Sequence, residues 1–135
     1  MQSRHSSCRY SALVLLFLVA HVGQACSNRS TAAEFAPRTL TFLNTLATRD
    51  TSAVLALSAD TGSMLRAQAF KNREPEALRA AIQTLRPLSG SNAMQDSARL
   101  FYTIQVRGTR ETLAIGFVRR DTTWLVYWVG LPDRQ

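Results

Sequence analysis

The period of the apolar residues changes near Asp96, and this change constrains the fold more than any other feature of the chain. Before that point, apolar residues recur every three or four positions, as on one side of a helix. After it they recur every second position, as on one face of a β-strand. Helices followed by strands predict an α+β domain in which N-terminal helices pack on a C-terminal antiparallel sheet.

Two helices are predicted between residues 37 and 59. Pro37 suits the first turn of a helix, because its missing N–H is not needed there. That helix ends near Thr48. Asp50 or Thr51 then supplies the side-chain oxygen that caps a second, short helix over SAVLALSA.

A third helix is the one most clearly marked by its spacing. It begins at Pro75, and its apolar residues fall at positions i, i+3, i+4 and i+7 of one stripe: Leu78, Ala81, Ile82 and Leu85. Pro87 ends it. The segment 64–71 fits either a short helix or a strand, so both readings stay open.

Three strands joined by short turns follow, which predicts an antiparallel meander. They lie near residues 99–107, 112–118 and 124–129. The last strand is apolar on both faces. This composition predicts either a central place in the sheet or a partner that covers the strand.

The N-terminus has the layout of an export signal. Arg4 and Arg9 precede an apolar core, ALVLLFLVA, which is shorter than the roughly 20 residues of a membrane-spanning helix. Small residues, Gly23 and Ala25, occupy positions −3 and −1 relative to Cys26, as signal peptidases require. A cysteine directly after the cleavage point resembles the lipobox of bacterial lipoproteins, in which the thiol takes a diacylglycerol.

These features divide the chain into three parts. We predict a signal peptide over residues 1–25, a polar tether over 26–36 that begins with a lipidated Cys26, and a folded domain over 37–132. The alternatives are secretion with a free cysteine at the new N-terminus, and an uncleaved membrane anchor.

Cleavage before Cys26 would exclude several classes of chemistry. Both histidines, His5 and His21, lie in the signal, as does Cys8. The remaining chain could form no Ser-His-Asp or Cys-His nucleophile system, no imidazole proton shuttle and no His/Cys zinc site. Glycine-rich phosphate-binding motifs are absent from the sequence. We therefore expect no metal, no cofactor and no catalysis.

Two stretches resemble the NTF2-like (cystatin-like) superfamily. TFLNTLATRDTSAVLALSA (41–59) resembles its opening helix pair, and FVRRDTTWLVYWVGLP (117–132) resembles its closing hairpin. The resemblance spans residues 36–131 and implies helices packed into a strongly curved sheet as a cone, in full or reduced form. Catalytic members place an acid or a histidine inside the cone. Here Glu111 and Asp121 fall at turns, so the resemblance implies binding without catalysis.

Two groups of residues are candidate sites. Aromatic side chains of the strands could line a cavity in the cone or form a partner-binding sheet face: Tyr102, Phe117, Trp124, Tyr127 and Trp128. Arginines near the strand ends could bind an anionic ligand or lipid, or form a solvated rim of the sheet: Arg99, Arg107, Arg119 and Arg120.

The resulting prediction is an exported, lipid-anchored envelope protein that faces the periplasm or the cell exterior. It would bind an apolar small molecule or an envelope protein. The alternatives are a minimal isomerase or lyase that uses Asp or Tyr, and a homodimer joined through its sheets. The net charge of +7 would also suit nucleic acid, but an exported protein does not meet that partner.

Overall fold

The computed structural model describes residues 16–134, with side chains from Thr31 onward. The helices are α1 (Leu16–Thr48), α2 (Thr51–Ala56), α3 (Thr61–Arg73) and α4 (Pro75–Thr84). The strands are β1 (Arg86–Pro87), β2 (Asn92–Ala93), β3 (Ser97–Val106), β4 (Thr109–Arg120) and β5 (Thr123–Gly130), followed by a 3-10 turn over Pro132–Arg134. In this part of the chain all helices precede all strands, so the predicted α+β class is confirmed.

Helix α1 begins earlier than the sequence predicts. It runs through residues 26–36, and Pro37 lies inside it rather than in its first turn. Ala32 and Phe35 are buried, so the last part of the predicted tether belongs to the folded domain and that prediction is wrong there. Proline has no N–H to donate to the carbonyl of Ala33, four residues earlier in the helix. Both Pro37 and Ala33 are exposed, so water can bind this carbonyl instead and the proline is tolerated.

Aspartate caps begin the two helices that follow α1. Asp50 accepts a hydrogen bond from the backbone N–H of Ala53 at 3.1 Å, which confirms the predicted start of α2. Asp60 accepts one from the N–H of Ser63 at 2.7 Å and begins α3. Helix α3 contains the whole of 64–71, so this ambiguous segment is helical.

The sheet is an antiparallel meander, as predicted. Its strand order is β1-β3-β4-β5, and β2 also pairs with β3. Burial alternates along β3, so helices cover only one face of the sheet. We call this the inner face and its opposite the outer face. The helices pack against the inner face, and the sheet is curved but not closed.

Strand β5 lies at an edge of this sheet, so its predicted central place is wrong. The chain itself covers that edge. The N–H of Ala59 donates to the carbonyl of Val126 at 2.7 Å, and the N–H of Val126 donates to the carbonyl of Leu57 at 2.9 Å. Arg66 of α3 donates to the carbonyl of Tyr127 at 3.2 Å.

The opposite edge, along β3, is also occupied beyond its two short partner strands. The N–H of Phe101 donates to the hydroxyl of Ser91 at 2.9 Å, and the N–H of Gln105 donates to the hydroxyl of Thr84 at 2.9 Å. A sheet with both edges covered offers little to a partner that binds by adding a strand. The faces of the sheet are therefore where a binding site can form.

Candidate functional site

The five predicted aromatic residues do not line one pocket. Tyr102 and Phe117 are buried in the core of the inner face. Trp124 is half-buried and also belongs to the inner face, beside the core. Tyr127 and Trp128 lie on the outer face. The structure thus divides the predicted set between a filled core and a surface on the far side of the sheet.

Tyr102 connects the middle of the sheet to helix α1. Its hydroxyl donates to the carbonyl of Ala32 at 2.8 Å and lies 3.1 Å from the hydroxyl of Thr39. Both Tyr102 and Thr39 are fully buried. Burial raises the pKa of Tyr102 to about 12, while the hydrogen bond with Thr39 lowers it. A neutral, fully bonded tyrosine in this position holds α1 in place and is closed to ligands.

Phe117 and Trp124 pack around Phe35 of α1. The ring centroids of Phe35 and Trp124 are 5.1 Å apart in an edge-to-face arrangement, and those of Phe35 and Phe117 are 5.4 Å apart. A shallow cleft of about 390 Å³ opens beside Trp124, between α1 and the turn that joins β4 to β5. Phe35 is itself buried and packs against both rings.

The outer face carries a groove between β3 and β5, which we call the outer groove. Six of the residues that line it are Arg99, Phe101, Ala114, Gly116, Tyr127 and Trp128. Its floor is formed by β4, whose outer-face residues there are the small Ala114 and Gly116. The register sets Arg99 beside Gly116 and Trp128, and Phe101 beside Ala114. Large side chains on both sides of small ones create the groove.

Two glycines let the aromatic rings lie down on the sheet. A β-carbon on Gly116 would stand 2.5 Å from Cζ of Tyr127, and one on Gly130 would stand 2.8 Å from Cζ2 of Trp128. A β-bulge between Gly116 and Phe117 places Tyr127 on the same side as Trp128. Both rings therefore cover backbone that a larger residue would occupy, and they form the wall of the outer groove.

The four predicted arginines do not form one patch either. Arg107 forms an ion pair with Glu76, at the opposite end of β4 from Arg119 and Arg120. A strand of twelve residues spans about 35–40 Å, which keeps these ends apart. Of the four, only Arg99 lines the outer groove.

The two arginines at the β4–β5 end have partners of their own. Arg119 lies 3.6 Å from the carboxylate of Asp96 and stacks 5.8 Å from the ring centroid of Trp124. Arg120 donates to the carbonyl of Ala59 at 2.8 Å. Each side chain thus serves a local contact rather than a shared anion site.

No pattern in the sequence predicted the polar cleft that the structure shows near Arg134. Arg134 bridges Glu74 and Glu111 with two hydrogen bonds of 2.6 Å. Beside it, the hydrogen bond from Arg107 lowers the pKa of Glu76. These carboxylates are all paired with arginine, so the cleft joins the 3-10 turn to α4 and β4 and offers no free acid. Only the fold brings residues so distant in the sequence together.

The sequence analysis also missed the outer groove, although the residue pattern of β4 indicates one. The period of two that places Leu113, Ile115 and Phe117 on one face places Ala114 and Gly116 on the other. Two small residues on a strand between aromatic strands indicate a groove.

No protein-family profile, no curated protein and no solved structure matches this chain. Cys26 lies in α1, but its side chain is outside the described residues. Among the described helices, none combines the length and the apolar character needed to cross a membrane.

Proposed function

We propose that this chain is an exported, lipid-anchored binding protein whose binding surface is the outer groove. The observation that carries the proposal is the contrast between the two faces of the sheet. On the inner face the helices cover the sheet and leave a cleft of about 390 Å³ beside Trp124, whereas the described helices leave the outer face and its aromatic groove uncovered. A reduced NTF2-like domain would use the outside of its sheet rather than the inside of a cone.

The core supports a role without catalysis. The buried polar residues among residues 31–134 are Thr39, Ser58, Ser63 and Ser91, none of which titrates near neutral pH. The carboxyl groups with resolved shifts, those of Asp50, Asp60 and Glu76, all have pKa values below the usual range, because hydrogen bonds stabilise their charged forms. A general acid needs the opposite shift.

The fold is compatible with cleavage before Cys26. The core contacts that the structure describes lie within residues 32–131, so removal of residues 1–25 would leave these contacts in place. A helical rise of about 1.5 Å per residue sets Cys26 about 9 Å along the axis of α1 from Ala32. A lipid on Cys26 would then hold the domain close to the membrane surface on a short helical stalk.

Metabolic labelling with a radioactive fatty acid tests the anchoring. We expect label on the wild type and none on Cys26→Ser, because the thiol of Cys26 is the acceptor. The matched control is Cys8→Ser, which removes the other cysteine of the chain and should keep the label. Label that persists on Cys26→Ser, or that is absent from the wild type, contradicts the proposal.

A further inference from the structure

The outer groove has the size of a small-molecule site. Its volume is about 440 Å³, and ligand clefts in proteins typically measure about 300–1,000 Å³. Aromatic side chains line it on both sides. Phe101 stands on one side, and Tyr127 and Trp128 stand on the other.

The groove is apolar along its length and cationic at one end. Arg99 lies across β4 from Trp128, whereas Pro132 lies beyond Gly130 at the other end. No acidic residue lines the groove. Within residues 31–134 Arg99 forms no ion pair, whereas Arg107, Arg119 and Arg134 each pair with a carboxylate. Its guanidinium is free to accept an anion.

We infer that the outer groove binds an amphiphilic organic anion. The apolar body of the ligand packs against the half-buried rings of Phe101, Tyr127 and Trp128, and its anionic group pairs with Arg99. A guanidinium binds a carboxylate or phosphate through two parallel hydrogen bonds, which fixes the orientation of the ligand. This inference rests on the proposed function in taking the outer face as the binding surface.

Charge and geometry favour this ligand over a macromolecule. Arg86, Arg99 and Arg110 all lie on the outer face by register, so a second copy placed face to face would oppose like charges. The helix that would carry the lipid packs on the inner face, so it leaves the outer groove accessible to a ligand.

Isothermal titration calorimetry with 2-naphthoate tests the inference. The full chain is reconstituted in phosphatidylcholine nanodiscs, and empty nanodiscs provide the blank. We expect 2-naphthoate to show saturable binding. The neutral ligand 2-naphthylmethanol, which has a similar shape, should bind at least about tenfold more weakly because it cannot form the charge-assisted contact.

Two matched variants locate the site. Arg99→Gln should weaken 2-naphthoate binding by about tenfold or more, because it removes the cation of the groove. Arg110→Gln removes an exposed arginine of the same face that does not line the groove, and it should bind as the wild type does. Circular dichroism spectra that coincide show that all three proteins are folded.

The remaining outcomes overturn the inference. They are no saturable binding, equal binding of the neutral ligand, equal binding by Arg99→Gln, or equal weakening by both variants. The fatty-acid labelling of Cys26 is independent of these titrations. Labelling without binding leaves the anchoring in place and removes the anionic ligand, whereas binding without labelling does the reverse.

Discussion

Replacement of Tyr102 by phenylalanine tests whether α1 is docked on the sheet as described. The variant keeps the ring in the core and removes only the hydroxyl that contacts Ala32 and Thr39. A buried hydrogen bond contributes about 0.5–1.5 kcal/mol net, and a buried group left without a partner costs about 1–3 kcal/mol. The hydroxyl of Thr39 can turn to a carbonyl of its own helix, which recovers part of the loss. We expect a loss of about 1–2 kcal/mol in the free energy of unfolding.

Urea denaturation followed by circular dichroism measures this loss, and Thr39→Val completes a double-mutant cycle. Because the two hydroxyls share a hydrogen bond, the double variant should lose less stability than the two single variants together, by about 0.5–1 kcal/mol. If Tyr102→Phe is as stable as the wild type, or if the two losses simply add, the tertiary contact of α1 with the sheet is not formed in solution.

Tyr102 also makes the free energy of unfolding depend on pH in the alkaline range. Burial raises the pKa of Tyr102 to about 12, whereas an exposed tyrosine of the unfolded chain titrates near 10. Between these values the native state holds a proton that the unfolded state has lost, so stability falls as the pH rises. The wild type should lose about 2 kcal/mol between pH 10 and 12 through this group. Tyr102→Phe should lack this component, and the stabilities of the two proteins should converge there.

Three further perturbations test other parts of the structure. Phe35→Ala should lower the free energy of unfolding by about 3 kcal/mol or more through the cavity it leaves, whereas Glu34→Ala, an exposed neighbour, should change it little. Equal effects would mean that this turn of α1 does not pack. Gly116→Ala should cost about 1–3 kcal/mol, because the new methyl group meets the ring of Tyr127, and Tyr127→Ala should relieve that clash. Asp60 has a pKa held below its usual range by the capping hydrogen bond from a backbone N–H, so its contribution is lost as the pH falls through the lowered value. The melting temperature of Asp60→Asn should therefore fall less than that of the wild type as the pH is lowered from 5 to 2. An equal fall in the two proteins would refute this role.

Local chemistry was sufficient to predict most of the elements. Asp50 begins α2 because its carboxylate reaches a backbone N–H within the same turn, and Pro75 begins α4 because the first turn needs no proline N–H. The strands followed from a period of two that extends over three segments. Such signals depend only on residues close together in the chain. Helix starts and strands can therefore be predicted without knowledge of the tertiary structure.

The sites could not be read in the same way. The prediction grouped Tyr127 and Trp128 with Tyr102 as one pocket, but the β-bulge and the register place them on opposite faces of the sheet. The arginines were grouped by their position near strand ends, although a long β4 separates those ends. In both cases the error lay in pairing and register, which involve residues far apart in sequence.

The amino-acid sequence by itself determined that helices would precede an antiparallel meander, where α2 and α4 would begin, and which face of β3 and of β4 would be apolar. Only the tertiary structure decided that residues 32–36 belong to the domain, that β5 lies at an edge, and that Arg99 joins Tyr127 and Trp128 in one groove. The reason is physical. Caps and periodicities arise from hydrogen bonds and burial within a few residues, whereas Ala32 and Phe35 are fixed by contacts with strands that begin more than sixty positions later in the chain.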